Sequence, residues 1–325
     1  MAPPLDEFGY SLTALITVGM QLSFFAVAYG CSFDLVTDLA GSSNFVIITV
    51  LTLALGPGGV DRMRPLVLTA LLTVSRAELA SFLLFRVCRR KKDARFDEMR
   101  QSFWKFLIFW IYQMVWAWLG SLPVVFVNAV PGEEQPELDA VDVFGWAAFV
   151  VGFLFQVVAD VQKYRFRADT ANRGRFCSTG LWSISRHPNY FGEILMWWGI
   201  WASAAVVVVD SASPGAAWVT LLCPLWTMFI LLFFSGLPFA EGESLACYYE
   251  DPSEGQRWEE YRHRTSPVVP LPPSLYARLP ALAKRGLLCE FRFLEYKAPT
   301  TVVEVQTEKA SAAEVVGTRG TGLGA

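Results

Sequence analysis

Three charged residues near position 165 have the spacing of one helix face. Asp160, Lys163 and Arg167 lie three and four residues apart in the sequence DVQKYRFR, at the end of an apolar run, and such positions are neighbours on a helix. Two interpretations fit. The Lys and Arg side chains reach lipid phosphates from a membrane edge, or the same cationic face binds the phosphate of a nucleotide.

The next segment combines a helix start with basic side chains. It reads TGLWSISRHPNYFGE over residues 179–193. Pro188 disfavours a helical conformation at His187 and suits the first position of a helix. A helix that begins near Pro188 leaves backbone N–H groups free in its first turn, so Arg186 and His187 would lie at the mouth of an anion site. A capping or interface role is the structural alternative for His187.

Glu193 is unusual because it falls inside an apolar run. It lies four residues after Asn189 and shares a helix face with it. Ionisable side chains inside membrane helices are costly and mostly functional. The structural alternative for Glu193 is an ion pair with a neighbouring Arg or Lys.

A further polar group follows the last apolar run. Because this stretch comes directly after a membrane exit, we expect it to fold back over the cytoplasmic mouth of a helix bundle. Its polar and aromatic residues are Glu241, Glu243, Tyr248, Tyr249, Trp258, Tyr261, Arg262, His263, Arg264 and Thr265.

The composition limits the class of protein that positions these residues. Of 325 residues, 54% are hydrophobic and 18% are charged, whereas a soluble domain carries about 25% charged residues. The net charge of −3 excludes a globally basic nucleic-acid binder. The chain has two His residues, and its six Cys residues form no CxxC pair. We therefore expect neither a metal site nor a nucleic-acid partner.

Seven apolar runs predict an all-α, polytopic membrane protein, since about 20 apolar residues are needed for one helical span. The second run ends at the helix-breaking sequence Gly56-Pro57-Gly58-Gly59. The runs cover roughly residues 11–31, 44–60, 65–87, 103–128, 142–163, 190–209 and 215–236.

The charges between the runs predict an orientation. Segments 86–105 and 163–187 are rich in Arg and Lys, whereas the loop 131–142 carries only acidic charges. Basic loops remain cytoplasmic, so seven spans place the N-terminus outside or in a lumen and the C-terminus in the cytoplasm. Arg62 and Arg64 oppose this assignment but are outnumbered. We expect one membrane domain over residues 1–298 and a disordered tail over residues 299–325.

The sequence resembles the C-terminal domain of the steroid 5-alpha-reductase family. The matching pieces include DVQKYRFR (160–167), GLWSISRHPNYFGEILMWWG (180–199), SGLPFAE (235–241) and WEEYRHRTSPVVP (258–270). Similar RHPNY motifs occur in sterol C14 reductases, and a looser form occurs in isoprenylcysteine and phospholipid methyltransferases.

This resemblance implies a membrane reductase that binds NADPH at its cytoplasmic side, within a half spanning about residues 142–275. Hydride would move to a carbon–carbon double bond of a flat lipid or steroid-like enone. The resemblance implies catalytic roles for Glu193 and Tyr190, and it leaves open whether Tyr248 or Tyr249 belongs to the C-terminal clasp. The expected cofactor-binding residues are Asp160, Lys163, Arg167, Trp182, Arg186, His187, Asn189, Tyr190, Glu241, Tyr249, Tyr261 and Arg264.

Reduction of an enone also requires a group that stabilises charge on the carbonyl oxygen. Polar residues of the early apolar runs are candidates, but hydrogen bonding between helices is the favoured interpretation for each one taken singly. They are Gln21, Tyr29, Asp34, Asp38, Asn44 and Arg76.

Two other functions remain open. A methyltransferase that uses S-adenosylmethionine would explain the RHPNY motif but not the basic face of Lys163 and Arg167, because that cofactor carries no phosphate. A non-catalytic lipid-binding protein would need neither Glu193 nor a cofactor clasp. We expect a multi-pass protein of the endoplasmic reticulum in a eukaryote, or of the inner membrane in a bacterium.

Overall fold

The computed structural model describes residues 6–31, 35–90, 99–294 and 296, and these residues form helices and connecting loops without a β-strand. Six helical segments are long and apolar enough to cross a membrane, and residues Leu39–Leu55 form a shorter apolar helix. The chain is therefore a polytopic helical membrane protein. The predicted tail 299–325 and residues 91–98 of the basic segment 86–105 lie outside the described residues.

The first, third and fourth helices follow the predicted runs closely, whereas the second begins at Leu35, nine residues before the predicted run 44–60. The second ends directly before Gly56, as predicted from its glycine-rich stop, and the fourth contains Pro123. The four are α1 (Tyr10–Cys31), α2 (Leu35–Leu55), α3 (Met63–Arg90) and α4 (Phe103–Ala129).

Helices α5 (Ala140–Ala168) and α6 (Pro188–Val209) carry most of the candidate site residues. The start of α6 at Pro188 confirms the prediction. The two helices approach closely at paired glycines, because a Cβ atom on Gly145 would lie 2.6 Å from the Gly199 carbonyl oxygen. Small residues permit such close backbone contact between membrane helices.

The last apolar run lies within a candidate span, as predicted, but its helix is not uniform. A π-helical turn covers Ile230–Phe234, where the Ile230 carbonyl accepts hydrogen bonds from the N–H groups of Ser235 and Gly236. The α-helices of this part and of the C-terminal region are α7 (Pro214–Trp218), α8 (Leu222–Phe229), α9 (Leu237–Glu241), α10 (Ala246–Tyr249), α11 (Pro252–Arg264), α12 (Pro273–Arg278) and α13 (Ala281–Leu287).

The chain divides into two compact units. The first unit comprises Met1–Leu154 and Gly192–Met228. The second unit comprises Phe155–Phe191 and Phe229–Ala325. Helices α5 and α6 each contribute residues to both units.

Buried polar side chains link the helices of the first unit. The Gln21 side-chain amide donates to Asn44 Oδ1 at 3.1 Å, and Asn44 donates to Thr17 Oγ1 at 3.1 Å. Gln113 Nε2 donates to Gln21 Oε1 at 2.9 Å. These contacts support the structural interpretation of Gln21 and Asn44, because their amides bond to neighbouring helices.

Candidate functional site

The segment before α6 is anchored to α5 by side-chain hydrogen bonds within the second unit. Trp182 Nε1 donates to the Ala159 carbonyl at 3.0 Å, and the Leu181 N–H donates to Gln162 Oε1 at 2.9 Å. Gly180 has a φ of +62°, and a Cβ atom there would lie 2.5 Å from Gln162 Nε2. Only glycine meets both requirements without strain.

The same segment is held on its other side by the C-terminal region. The Arg186 N–H donates to the Ser266 carbonyl at 2.8 Å, and Ser185 Oγ donates to the Val268 carbonyl at 2.8 Å. The hydroxyl of Tyr261 donates to the Trp182 carbonyl. Residues of α11 and of the segment that follows it therefore fix the backbone that precedes α6.

A cavity of about 270 Å³ lies between these elements of the second unit. Five of its lining residues are basic: Lys163, Arg167, Arg175, Arg186 and His187. Arg167 and Arg175 are exposed, whereas the Lys163 ammonium lies 4.2 Å from the centre of the Trp182 ring. This distance is that of a cation–π contact. The cavity thus carries positive charge that is accessible to an anionic ligand.

Aromatic side chains form another part of the lining. The Phe176 ring centre lies 5.1 Å from those of Trp258 and Tyr261 and 5.7 Å from that of Tyr248. Tyr248 also stacks on Trp258 at 5.5 Å. Cationic side chains bind the phosphates of a nucleotide, and aromatic rings stack on its flat base. The residues present therefore fit a phosphate-bearing nucleotide cofactor.

Arg186 and His187 line this cavity and form a buried charged cluster with Glu241. Glu241 Oε1 lies 3.1 Å from Arg186 Nε and 2.9 Å from His187 Nε2, and Arg186 Nη2 lies 3.0 Å from Glu290 Oε1. The carboxylate of Glu241 thus lies against the two side chains that we expected to bind a ligand anion. Arg186 Nη1 is buried without a hydrogen-bond partner.

Burial sets the protonation of His187 and Glu290, which lie outside the candidate spans. Loss of solvent lowers the pKa of His187, although the carboxylate of Glu241 opposes the shift. A neutral His187 then donates from Nε2 to Glu241, as the hydrogen bond indicates. Burial also raises the pKa of Glu290, against the opposing effect of Arg186.

Asn189 and Tyr190 are held at the start of α6. Asn189 Nδ2 donates to Asp160 Oδ1 at 3.1 Å, whereas Asn189 Oδ1 is buried without a hydrogen-bond partner. The Tyr190 ring stacks on His187, with centres 5.1 Å apart and planes inclined by 11°. Asn189 Oδ1 is thus a buried, unsatisfied acceptor, and Asn189 does not line the cavity.

Glu193 belongs to the first unit, where it pairs with Arg76. Arg76 Nη1 lies 3.1 Å from Glu193 Oε1, and Trp197 Nε1 donates to the same oxygen at 2.8 Å. The Arg76 guanidinium also lies 5.1 Å from the Trp197 ring centre. The ion pair that we considered as the structural alternative for Glu193 is thus present. Its partner is Arg76, for which bonding between helices was the favoured interpretation.

The structure brings together some of the predicted cofactor residues and separates others. Tyr249 lies away from the cavity lining; its hydroxyl donates to Glu259, and its ring packs against Tyr296. Arg264 is exposed and lines a different pocket. The predicted residues that line the cavity are Lys163, Arg167, Trp182, Arg186, His187 and Tyr261.

Several cavity residues were absent from the predicted cofactor set. Arg175 lies in the basic segment 163–187, so the charge of that segment could have identified it as a cavity residue. Tyr248 was the open alternative to Tyr249. The positions of Phe176 and Trp258 form no helical or motif spacing that could have identified them. All four line the cavity.

The other early polar candidates have varied surroundings. Tyr29 is 41% exposed and packs against Phe103 and Phe106. Asp34 and the side chain of Asp38 lie outside the described residues. Among the described residues, no group of three or more His, Cys, Asp and Glu side chains could hold a metal ion.

Comparison with known proteins gives one family. Residues 24–265 match the family DUF1295, which is described as a protein of unknown function. The chain belongs to the DUF1295 family. The match includes α6 and every residue of the cavity lining, so the site lies within the part that defines the DUF1295 family. No curated protein and no solved structure matches the chain.

Proposed function

We propose that this chain is an NADPH-dependent membrane reductase that acts on a carbon–carbon double bond of a lipid or steroid-like enone, as in the steroid 5-alpha-reductase family that it resembles. The observation that supports the proposal best is the cavity of the second unit, where Lys163, Arg167 and Arg175 share the lining with aromatic rings.

The chemistry of this lining favours NADPH among the candidate cofactors. Lys and Arg side chains bind phosphate through charge-assisted hydrogen bonds, and S-adenosylmethionine carries no phosphate. Phe176, Tyr248 and Trp258 present faces and edges suited to a flat heterocycle.

The bound cofactor supplies the hydride for the β-carbon of the enone. The residues of the chain must supply the proton for the α-carbon and stabilise charge on the carbonyl oxygen. We assign the proton for the α-carbon to the hydroxyl of Tyr190. Polar residues of the early helices remain the candidates for stabilising charge on the carbonyl oxygen. Glu193, an anion paired with Arg76, keeps only the catalytic role that the family resemblance implies. Arg76 and Trp197 hold the Glu193 carboxylate in one orientation, and His187 supports the Tyr190 ring from one face.

The membrane helices suit a substrate that partitions into lipid. Seven spans, with the N-terminus outside or lumenal and the C-terminus cytoplasmic, would give the cavity direct access to cytoplasmic NADPH. The corresponding location is the endoplasmic reticulum in a eukaryote or the inner membrane in a bacterium.

Cofactor binding to the detergent-purified full chain tests the proposal. The thermal unfolding midpoint would be measured with NADPH, NADH and S-adenosylmethionine. We expect NADPH to raise the midpoint most, and Arg167→Gln to weaken NADPH binding by about tenfold, the effect of losing one charge-assisted contact. Arg165→Gln is the matched control, because Arg165 is exposed on the same helix and lies outside the cavity lining.

The alternatives predict different results. A response to S-adenosylmethionine alone would replace the reductase by a methyltransferase. No response to any of the three cofactors by folded protein would favour a lipid-binding role. If NADPH binds, reduction of a panel of steroid and polyprenoid enones, followed by NADPH absorbance, tests the substrate class.

A further inference from the structure

A second basic cavity lies in the C-terminal region of the second unit. It has a volume of about 310 Å³ and lies between the end of α11 and helix α13. Four of its lining residues are basic: Arg262, His263, Lys284 and Arg285. We call it the basic pocket. It shares no lining residue with the proposed cofactor cavity.

The acidic groups near the basic pocket leave much of its positive charge uncompensated. Glu290 is the acidic residue of the lining, and it pairs with the buried Arg186. Arg262 pairs with Glu259, at 3.0 Å. Arg285 is exposed and forms no ion pair within the described part of the chain.

Lys284 is already positioned at the edge of this pocket. Its ammonium lies 4.4 Å from the centre of the Tyr276 ring and donates to the His263 carbonyl at 3.5 Å. An ammonium has three donors, and the distance to His263 is at the limit of a hydrogen bond. Lys284 therefore retains donors for an anion that lies beside Arg285.

The basic pocket continues into an exposed aromatic surface. Phe291 lines the pocket, and its ring centre lies 5.0 Å from that of Phe233. Phe293 stacks on Phe233 at 6.5 Å with planes inclined by 15°. Phe233 belongs to the candidate membrane span Pro214–Tyr249, and Phe233 and Phe293 are 46% and 68% exposed. An exposed ring on a membrane span faces acyl chains.

From this arrangement we propose that the basic pocket binds the headgroup of an anionic phospholipid. Lys284 and Arg285 contact the phosphate, and the acyl chains lie along Phe233 and Phe293. Basic side chains beside an apolar membrane surface are the combination that selects anionic over zwitterionic lipids. The proposal is independent of the reductase activity, since neither the cofactor nor Glu193 enters it.

Lipid titration of the purified full chain tests this site. Dioleoyl phosphatidylglycerol or dioleoyl phosphatidylcholine would be added in mixed micelles while the thermal unfolding midpoint is measured. We expect a saturable rise with the anionic lipid. Lys284→Gln/Arg285→Gln should weaken the apparent affinity by roughly twentyfold, since each basic residue near an anionic surface contributes a factor of about five.

A second pair of charges provides the control. Arg165→Gln/Arg173→Gln removes the same net charge from exposed positions outside the basic pocket and should retain the wild-type response. Phe293→Ser should weaken binding of the long-chain lipid but not of a short-chain phosphatidylglycerol. This exposed variant removes an acyl contact without removing charge.

Two results would overturn the assignment. If the Lys284/Arg285 variant retains wild-type affinity, or loses no more than the control pair, the pocket does not select anionic lipid. If inorganic phosphate gives the same rise as phosphatidylglycerol, the site binds a soluble anion and the lipid assignment is wrong.

Discussion

Arg76 Nη1 lies 3.1 Å from Glu193 Oε1 in the first unit, and this ion pair joins α3 to α6. The guanidinium is 1% exposed, and Trp197 donates to the same carboxylate oxygen. Two buried charged groups are tolerated here because the guanidinium and the carboxylate neutralise each other's charge. The pair therefore fixes the carboxylate that we assign to catalysis and also contributes to folding.

Removing one partner of the Arg76–Glu193 ion pair should lower the unfolding free energy far more than removing both. Arg76→Met leaves Glu193 without its cation, and such a loss in a buried pair costs about 3–5 kcal/mol. We expect Arg76→Met/Glu193→Leu to recover much of this loss, because the double variant buries no unpaired charge. The unfolding free energy in detergent would be measured for the two single variants and the double variant.

An exposed arginine provides the comparison for this cycle. Arg62→Met, at the N-terminal side of α3, should change the unfolding free energy by less than about 0.5 kcal/mol. If the losses of the two single variants simply add in the double variant, the two side chains do not stabilise the unit as a pair.

Gly180 should be the least replaceable glycine of the candidate site. Gly180→Ala imposes a left-handed φ on alanine and also places a Cβ atom 2.5 Å from the Gln162 side chain. We expect a loss of about 2–3 kcal/mol in the unfolding free energy, together with weaker NADPH binding. Gly174→Ala is the control, since Gly174 has a φ of +81° but no atom within 4 Å of an added Cβ.

Comparison of Gly180→Ala with Gly174→Ala separates the cost of a left-handed backbone from the cost of steric contact with the Gln162 side chain. Gly174→Ala should cost about 1 kcal/mol from the backbone conformation alone. Equal losses in both variants would mean that the side chain of Gln162 moves aside freely and does not hold the segment before α6.

The sequence predicted helix positions better than it predicted partners. The apolar runs, the stop at Gly56 and the start of α6 at Pro188 follow from local physical chemistry and agree with the structure. The partner of Glu193 is 117 residues away in the sequence, so no local spacing could identify Arg76. Likewise, the free N-terminus of α6 predicted an anion but could not indicate that Glu241 supplies a carboxylate to Arg186 and His187.

The broken last span shows the same limit. Hydropathy measures whether a segment partitions into lipid and carries no information on whether its hydrogen bonds follow an α or a π pattern. The π-helical turn at Ile230–Phe234 depends on how Gly236 packs against the Leu231 backbone, where a Cβ atom would lie 2.2 Å from the carbonyl oxygen.

The stability of the protein without cofactor should fall as the pH decreases below about 6.5. Burial lowers the pKa of His187 in the folded state from its usual value of 6.5. Between the two pKa values the unfolded chain binds a proton that the folded chain does not, so acidification favours unfolding. From pH 6.5 to pH 5.5 the loss attributable to His187 is at most about 1 kcal/mol, because the unfolded side chain is already half protonated at pH 6.5.

His187→Gln isolates this contribution. The variant retains a side-chain donor for Glu241 but does not titrate. The difference in unfolding free energy between wild type and variant should therefore narrow as the pH falls. The raised pKa of Glu290 acts in the opposite direction in both proteins and cancels in the difference. Parallel curves of unfolding free energy against pH would contradict a buried, neutral His187.

Tyr248 and Tyr249 should have separable roles. Tyr248 lines the proposed cofactor cavity and stacks on Trp258, so Tyr248→Leu should weaken NADPH binding by about tenfold through lost ring contacts. Tyr249 instead donates to Glu259 and packs on Tyr296. Tyr249→Leu should therefore lower the unfolding free energy by about 2 kcal/mol while leaving the NADPH dissociation constant within twofold. The opposite pattern, with weaker binding only in Tyr249→Leu, would show that the clasp inferred from the family resemblance uses Tyr249 and that the cavity lined by Tyr248 is not the cofactor site.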